Sequence, residues 1–147
     1  MRNIFLSSLL WAAALASAAD DPAPFEAGAA REDITPPSGL PMWGYGARKD
    51  IPCQGTLDPL TATAVVIRAG SERLAIVGLD LGRSPARATL AWIREEVKAT
   101  AGVQHVILVG SHTHHGPCLE LEKPGTNNST RATAEYIRVL REKIASA

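Results

Sequence analysis

Two short apolar segments on either side of a helical pattern constrain the fold of this chain more than any other feature. Residues 73–80 and residues 103–110 are rich in Val, Ile and Leu, which is typical of strands. Between them, Ser84 and Pro85 favour the start of a helix, and Gly102 favours its end. The pattern therefore predicts a strand, a helix and a second strand in succession.

This strand–helix–strand unit has a preferred topology. The helix, predicted over residues 85–100, connects two strands of one sheet, and such crossovers are right-handed and join parallel strands. Parallel strands end at the same carboxyl edge, where open α/β sheets place their functional sites. Asp80 ends the first strand and His112 follows the second. The topology therefore predicts a carboxylate and a histidine cluster on one rim of the sheet.

The flanking segments extend this unit. Residues 60–68 are apolar and β-branched, and a turn at residues 69–72 joins them to the strand at residues 73–80, which predicts a β-hairpin. Residues 130–146 have an apolar helical face and predict a second helix. The fold class is therefore α/β, with a mixed sheet that contains a β-hairpin and a β-α-β unit.

A loop is predicted over residues 28–48. It contains three prolines that exclude a continuous helix, at positions Pro36, Pro37 and Pro41. Gly44 and Gly46 flank Tyr45, and glycine permits unusual backbone angles or the close approach of another chain segment. We interpret Trp43 as a packing residue of this loop.

The N-terminus has the features of an export signal. Arg2 precedes an apolar run, and a small-x-small cleavage pattern follows at residues 16–18. We predict a signal peptide over residues 1–18, a linker over residues 19–27 and a domain over residues 28–147, in a protein that is secreted or periplasmic. The alternative is a buried N-terminal helix.

Charge and cysteine content narrow the set of partners. The 15 Lys and Arg residues balance the 15 Asp and Glu residues, and no basic stripe is present, so no nucleic-acid partner is expected. An oxidising compartment permits one disulfide, between Cys53 and Cys118. A bridge and two free thiols are equally compatible with the sequence.

Three of the four histidines lie within four positions, at His112, His114 and His115. In extended backbone, residues two apart point to the same side, so the first two imidazoles are predicted to lie together and the third to point away. Two such imidazoles can share a metal ion or divide metal binding and proton transfer. The alternative is a polar surface loop. We predict that His105 is structural or exposed. Asp80 either accepts a hydrogen bond that orients an imidazole or is a carboxylate of the turn or helix entry.

Five segments in order resemble the N-terminal part of the catalytic domain of the neutral/alkaline, non-lysosomal ceramidase family. They are Asp33-Ile34-Thr35-Pro36, Met42-Trp43-Gly44-Tyr45, Asp58-Pro59-Leu60-Thr61-Ala62-Thr63-Ala64, Leu79-Asp80-Leu81-Gly82 and Ser111-His112-Thr113-His114-His115-Gly116-Pro117. The last is similar to the family motif T-H-T-H-S-G-P and is the most specific of the five. Together they cover the chain from about residue 28 to residue 117.

The resemblance implies a zinc-dependent hydrolase that cleaves the N-acyl amide bond of ceramide, or of a related lipid, to a sphingoid base and a fatty acid. It implies that His112 is a ligand of Zn²⁺ and that His114 is a catalytic residue beside the metal. Contact with a membrane would be peripheral, through the lipid substrate. In the family, the remaining ligands (another His, a Glu and a Tyr) come later in a longer chain. We therefore expect this chain to be an incomplete part of a larger α/β catalytic domain and inactive alone.

Two departures from the family pattern keep other functions open. His115 stands where the family has a small Ser, and Cys118 and Leu119 stand where glycines often follow. One alternative is the same framework acting on a different amide or ester. The other is a small secreted α/β protein without catalysis, in which the histidines form a surface loop.

Overall fold

Four strands form one mixed sheet. The computed structural model describes residues 24–48, 51–119 and 131–147. The strands are β1 (Phe25–Asp33), β2 (Thr61–Ala69), β3 (Glu72–Leu79) and β4 (His105–Gly110), in the order β1-β2-β3-β4 across the sheet. The β1–β2 and β2–β3 pairs are antiparallel, and the β3–β4 pair is parallel. The signal peptide predicted over residues 1–18 lies outside the described residues.

The predicted β-hairpin and β-α-β unit are both confirmed. Strands β2 and β3 form the hairpin, and α1 (Arg87–Ala101) connects the parallel strands β3 and β4. The predicted end of the helix is also confirmed, because Gly102 has a φ of +64° and donates its N–H to the carbonyl of Lys98 at 3.1 Å. The second predicted helix is α2 (Arg131–Ser146).

Strand β1 contradicts the predicted loop at residues 28–33. It begins at Phe25, inside the predicted linker, and all nine of its residues pair with residues of β2. Its sequence, FEAGAARED, is mostly exposed and has no β-branched residue, so its local signal for a strand is weak. The ladder with β2 therefore determines its conformation. The prolines that follow keep the rest of the predicted segment free of regular strand or α-helix, apart from a 3₁₀ turn at Gly46–Arg48.

The predicted start of α1 is wrong by two residues. The helix begins at Arg87, and no side-chain hydrogen bond caps it. Ser84, the predicted cap, donates its hydroxyl to the carbonyl of Leu108 at 2.9 Å. Ser84 therefore contacts β4, whereas the sequence pattern predicts that it caps the helix.

Both helices pack against the same face of the sheet and bury one apolar cluster. Strand residues of this face alternate with exposed ones, as the two-residue period of a strand requires. The largest fully buried apolar side chains are Ile34, Leu40, Leu79, Leu81, Ile93 and Leu140. Within the described ranges, no helix is long and apolar enough to cross a bilayer.

The opposite face of the sheet is apolar and open. Val65, Ile76, Ile107 and Val109 lie there with 39–50% of their surface exposed. They are cross-strand neighbours, since Val65 pairs with Ile76 and Ile76 pairs with Ile107. Open apolar faces of this kind favour packing against another layer of protein.

Helix α2 is tied to the end of β1 by a buried tyrosine. The hydroxyl of Tyr136 donates to the carbonyl of Ile34, and the ammonium of Lys143 donates to the carbonyl of Asp33. Burial, with a smaller contribution from the charge of Asp33, raises the pKa of Tyr136 well above its usual range. The neutral phenol is therefore the form that the folded state holds.

This raised pKa predicts a loss of stability at alkaline pH. Above about pH 10 the unfolded chain releases the Tyr136 proton while the folded chain keeps it, so the free energy of unfolding falls as pH rises. Tyr136→Phe should cost about 1 kcal/mol at neutral pH, because the bond to Ile34 is lost. In urea unfolding, the difference in free energy of unfolding between wild type and Tyr136→Phe should fall to zero by about pH 10.5. A difference that is constant with pH would contradict this.

Candidate functional site

The parallel strands bring the predicted site residues to one edge of the sheet. Leu79 and Gly110 are partners at the ends of β3 and β4. Asp80 directly follows the first of these strands, and the histidine loop (residues 111–117) follows the second. The N–H of His112 donates to the carbonyl of Leu81 at 3.0 Å, which fixes the start of this loop against the end of β3. The expected common rim is therefore confirmed.

The two imidazoles lie together, but not for the predicted reason. His112 has a φ of +64°, in the left-handed region, so the backbone here is not the extended one that we expected. The ring centroids of His112 and His114 are nevertheless 5.3 Å apart, with their planes tilted by 55°. The turn at His112, rather than the alternation of a strand, brings the rings to the same place.

An aromatic loop (residues 43–48) packs against the histidine loop. The ring centroid of Trp43 is 4.8 Å from the centroid of His112 and 4.8 Å from that of His114, with edge-on geometry in both cases. Tyr45 lies at 4.7 Å from His114 and also has edge-on geometry. The His114 ring is thus between two aromatic side chains. Trp43, which the sequence predicts to be a packing residue, packs against the two imidazoles of the candidate site.

Two glycines make this close packing possible. A Cβ at Gly44 would lie 2.5 Å from Cγ of His114, and a Cβ at Gly82 would lie 2.3 Å from Cδ2 of Trp43. Gly44 also has a φ of +77°, which side chains disfavour. The expected close approach of another segment is therefore confirmed at Gly44 but not at Gly46, where a Cβ would meet nothing within 4 Å. That pattern was the sequence signal that could have indicated the aromatic loop as part of the site.

Asp80 makes its hydrogen bonds to the neighbouring strand. Its Oδ2 accepts from the N–H of Thr61 at 2.9 Å and from the Thr61 hydroxyl at 2.8 Å. Among the described residues, no hydrogen bond joins Asp80 to an imidazole. The carboxylate holds the start of β2 to the end of β3, and its action on a histidine stays a prediction.

The other two histidines have different partners. His115 is exposed, with its ring centroid 5.6 Å from that of Tyr45, and it lines a cleft of about 450 Å³ together with Asp80. His105 lies at the amino end of β4, where its Nε2 is 3.3 Å from a carboxylate oxygen of Glu72. Both partners of that pair are largely exposed. The prediction that His105 is structural or exposed is confirmed.

An apolar groove of about 580 Å³ is lined in part by Trp43. Its lining includes Pro85, Pro117, Leu119 and Ile137, contributed by the segment before α1, the histidine loop and α2. The guanidinium carbon of Arg83 lies 5.4 Å from the Trp43 ring centroid. The Trp43 side chain thus lines a mostly apolar space and also contacts the two imidazoles.

The two cysteines form no disulfide with each other and lie on opposite sides of one chain segment. The N–H of Cys53 donates to the carbonyl of Leu40 at 2.8 Å, and the N–H of Cys118 donates to the carbonyl of Pro41, also at 2.8 Å. Strand-like neighbours are spaced by ~4.8 Å, so two residues with a segment between them lie beyond the reach of a disulfide. Of the two alternatives left open by the sequence, the structure therefore has the one without a disulfide between Cys53 and Cys118.

The spacing of the two imidazoles fits a shared metal ion. Two histidine nitrogens at ~2.1 Å from one tetrahedral ion place their ring centroids ~5 Å apart, and the observed separation is 5.3 Å. In the part of the chain that the structure describes, no group of three or more His, Cys, Asp or Glu side chains is placed to hold a metal ion. A zinc site takes three or four protein ligands, so these imidazoles supply at most part of one.

Comparison with solved structures identifies the fold. Neutral ceramidase from Pseudomonas aeruginosa matches 86% of this chain with a TM-score of 0.67 and 24% sequence identity. The chain has a ceramidase-like fold. A second solved structure, a ceramidase complexed with C2, matches 84% of the chain with a TM-score of 0.66 and 24% identity. The chain spans 21% and 20% of the length of these two proteins. No protein-family profile matches the chain, and no curated protein matches its sequence.

Proposed function

We propose that this chain forms the N-terminal part of a zinc-dependent hydrolase of the ceramidase type. Its substrate would be the N-acyl amide of ceramide or a related lipid, cleaved to a sphingoid base and a fatty acid. The observation that carries the proposal is the pair of imidazoles 5.3 Å apart at the carboxyl edge of parallel strands, on a fold similar to neutral ceramidase. A shared fold at 24% identity does not by itself specify a reaction, so the proposal depends on the site residues as well.

His112 and His114 take different roles in this proposal. His112 would hold the metal, and a bound zinc ion supplies an activated water and polarises a carbonyl. His114 is held between Trp43 and Tyr45, so its imidazole is positioned to orient the reacting amide or to carry a proton to the leaving amine. Imidazole suits either task because its two ring nitrogens can donate and accept hydrogen bonds.

The described residues supply only part of a zinc site, and the proposal therefore includes ligands outside them. By analogy with the ceramidase family these would be another His, a Glu and a Tyr. The chain alone would then bind zinc weakly and not turn over substrate. The proposed partner is a lipid, met by peripheral contact with a membrane, in a secreted or periplasmic protein.

Zinc titration of the purified chain tests the metal part of the proposal. His112→Ala should lower zinc affinity at least tenfold, about 1.4 kcal/mol, because the proposed zinc ligand is lost. His105→Ala is the matched control: it removes an exposed imidazole at the opposite end of β4 and should leave zinc affinity unchanged. Competition with a chromophoric chelator measures both. Equal zinc affinity in wild type and His112→Ala would contradict the proposal.

A panel of substrates tests the statement that this chain is inactive alone. N-acyl sphingosines, simple amides and simple esters would be offered to the zinc-loaded chain, with release of amine or acid as the readout. We expect no turnover above that of His112→Ala. Turnover of esters or simple amides, without N-acyl sphingosines, would favour the second candidate, the same framework acting on another substrate. The specific observation behind that candidate is His115, which lines a cleft together with Asp80 and stands where the family has a Ser.

A further inference from the structure

We infer that Arg48 is a positioning residue for the imidazole of His114, an inference that rests on the role proposed above for His114. Arg48 ends the 3₁₀ turn Gly46–Arg48, 66 positions before His114 in the sequence. Its guanidinium is partly buried between the aromatic loop and the histidine loop.

The guanidinium of Arg48 joins the two loops at the residues whose rings touch. Its Nη1 donates to the carbonyl of Trp43 at 3.0 Å, and its Nη2 donates to the carbonyl of His114 at 2.9 Å. The guanidinium carbon also lies 5.1 Å from the centroid of the Tyr45 ring. A planar fork with several donors can hold two carbonyls at a fixed distance, which a single ammonium group does less well. Arg48 therefore sets the distance between Trp43 and His114.

The residues around His114 hold its ring in place once the backbone spacing is fixed. The His114 ring is bounded by Trp43 on one side and Tyr45 on another, with centroid distances of 4.8 Å and 4.7 Å. The backbone at Gly44 closes a third side, where a Cβ has no room. With the His114 carbonyl held by Arg48, the imidazole has little freedom to leave this position.

A purely structural role for Arg48 is less consistent with the remaining contacts. The two loops are also joined by the N–H of Trp43, which donates to the carbonyl of Gly116 at 3.0 Å, and by a bridge between Met42 and Pro117. Loss of the Arg48 bonds would leave these links in place. The expected effect is therefore a change in ring position within a chain that stays folded.

Nuclear magnetic resonance of the metal-free chain tests the inference. The ring C–H signals of His114, assigned by their absence in His114→Ala, should be displaced by the ring currents of Trp43 and Tyr45. Arg48→Gln should move these signals more than halfway to the position of free histidine, and Arg48→Lys should give a smaller movement. Arg87→Gln, at an exposed arginine of α1, is the matched control and should move nothing. All spectra are recorded at one alkaline pH, where ordinary imidazoles are neutral.

Three outcomes decide the inference. Unmoved His114 signals in folded Arg48→Gln would overturn it, and so would unfolding of both Arg48 variants by far-UV circular dichroism, which would make Arg48 a folding residue. Moved signals in a folded variant support it. Zinc titration of the same samples separates this from the proposed function. If the signals move but wild type binds zinc no better than His112→Ala, the positioning by Arg48 stands and the metal role fails.

Discussion

Replacing Leu140 with alanine is expected to lower the free energy of unfolding by about 3 kcal/mol. Leu140 lies in α2 with none of its surface exposed, and it belongs to the single apolar cluster between the helices and the sheet. The loss combines the transfer free energy of the removed methyl groups with the cavity that they leave. For a domain whose total stability is in the usual range of about 5–15 kcal/mol, such a loss is a large fraction.

A second leucine provides the control for this prediction. Leu57 is 97% exposed, so Leu57→Ala removes the same atoms without opening a cavity and should change stability by less than about 0.5 kcal/mol. Urea unfolding followed by circular dichroism measures both variants. The comparison tests whether α2 packs on the sheet in solution. If Leu140→Ala costs no more than Leu57→Ala, the core described here does not hold the chain together.

The central part of this fold could be predicted because its signals are local. The apolar runs of β3 and β4, the periodicity of α1 and the glycine at its end each lie within a few residues of the element that they specify. The edge strand β1 could not be predicted in the same way. Its residues are small or charged, and only pairing with β2, whose sequence lies more than 25 positions away, makes it a strand.

The candidate site, like the fold, could be predicted only in part. The topology rule for parallel strands placed Asp80 and the histidine loop on one rim, and this part was confirmed. The ring geometry depends on the left-handed backbone of His112 and on Trp43, Tyr45 and Arg48, which are far from the histidines in sequence. Such contacts have no local periodicity, so the sequence indicated only the glycines that permit them.

Gly44→Ala is expected to have the second large effect, and it acts directly on the site. The variant combines two costs. A non-glycine residue at a φ of +77° is strained by about 1–2 kcal/mol, and the new methyl group would lie 2.5 Å from Cγ of His114. Overpacking of this kind typically costs a further 1–3 kcal/mol, for a total of about 3 kcal/mol. The His114 ring lies 5.3 Å from the ring of His112, so its displacement should also disturb the proposed zinc ligand and lower zinc affinity by at least tenfold.

Gly39→Ala separates the strain from the crowding. Gly39 has a φ of +92°, but a Cβ there would meet nothing within 4 Å. Its substitution should therefore cost only the strain, about 1–2 kcal/mol, and leave zinc affinity unchanged. Urea unfolding and chelator competition measure the stability and the zinc affinity of both variants. The difference between the two variants is the effect of crowding the His114 ring. Equal losses of stability with equal zinc affinities would mean that the His114 ring does not lie against Gly44, and the arrangement of both loops around the imidazole pair would then be wrong.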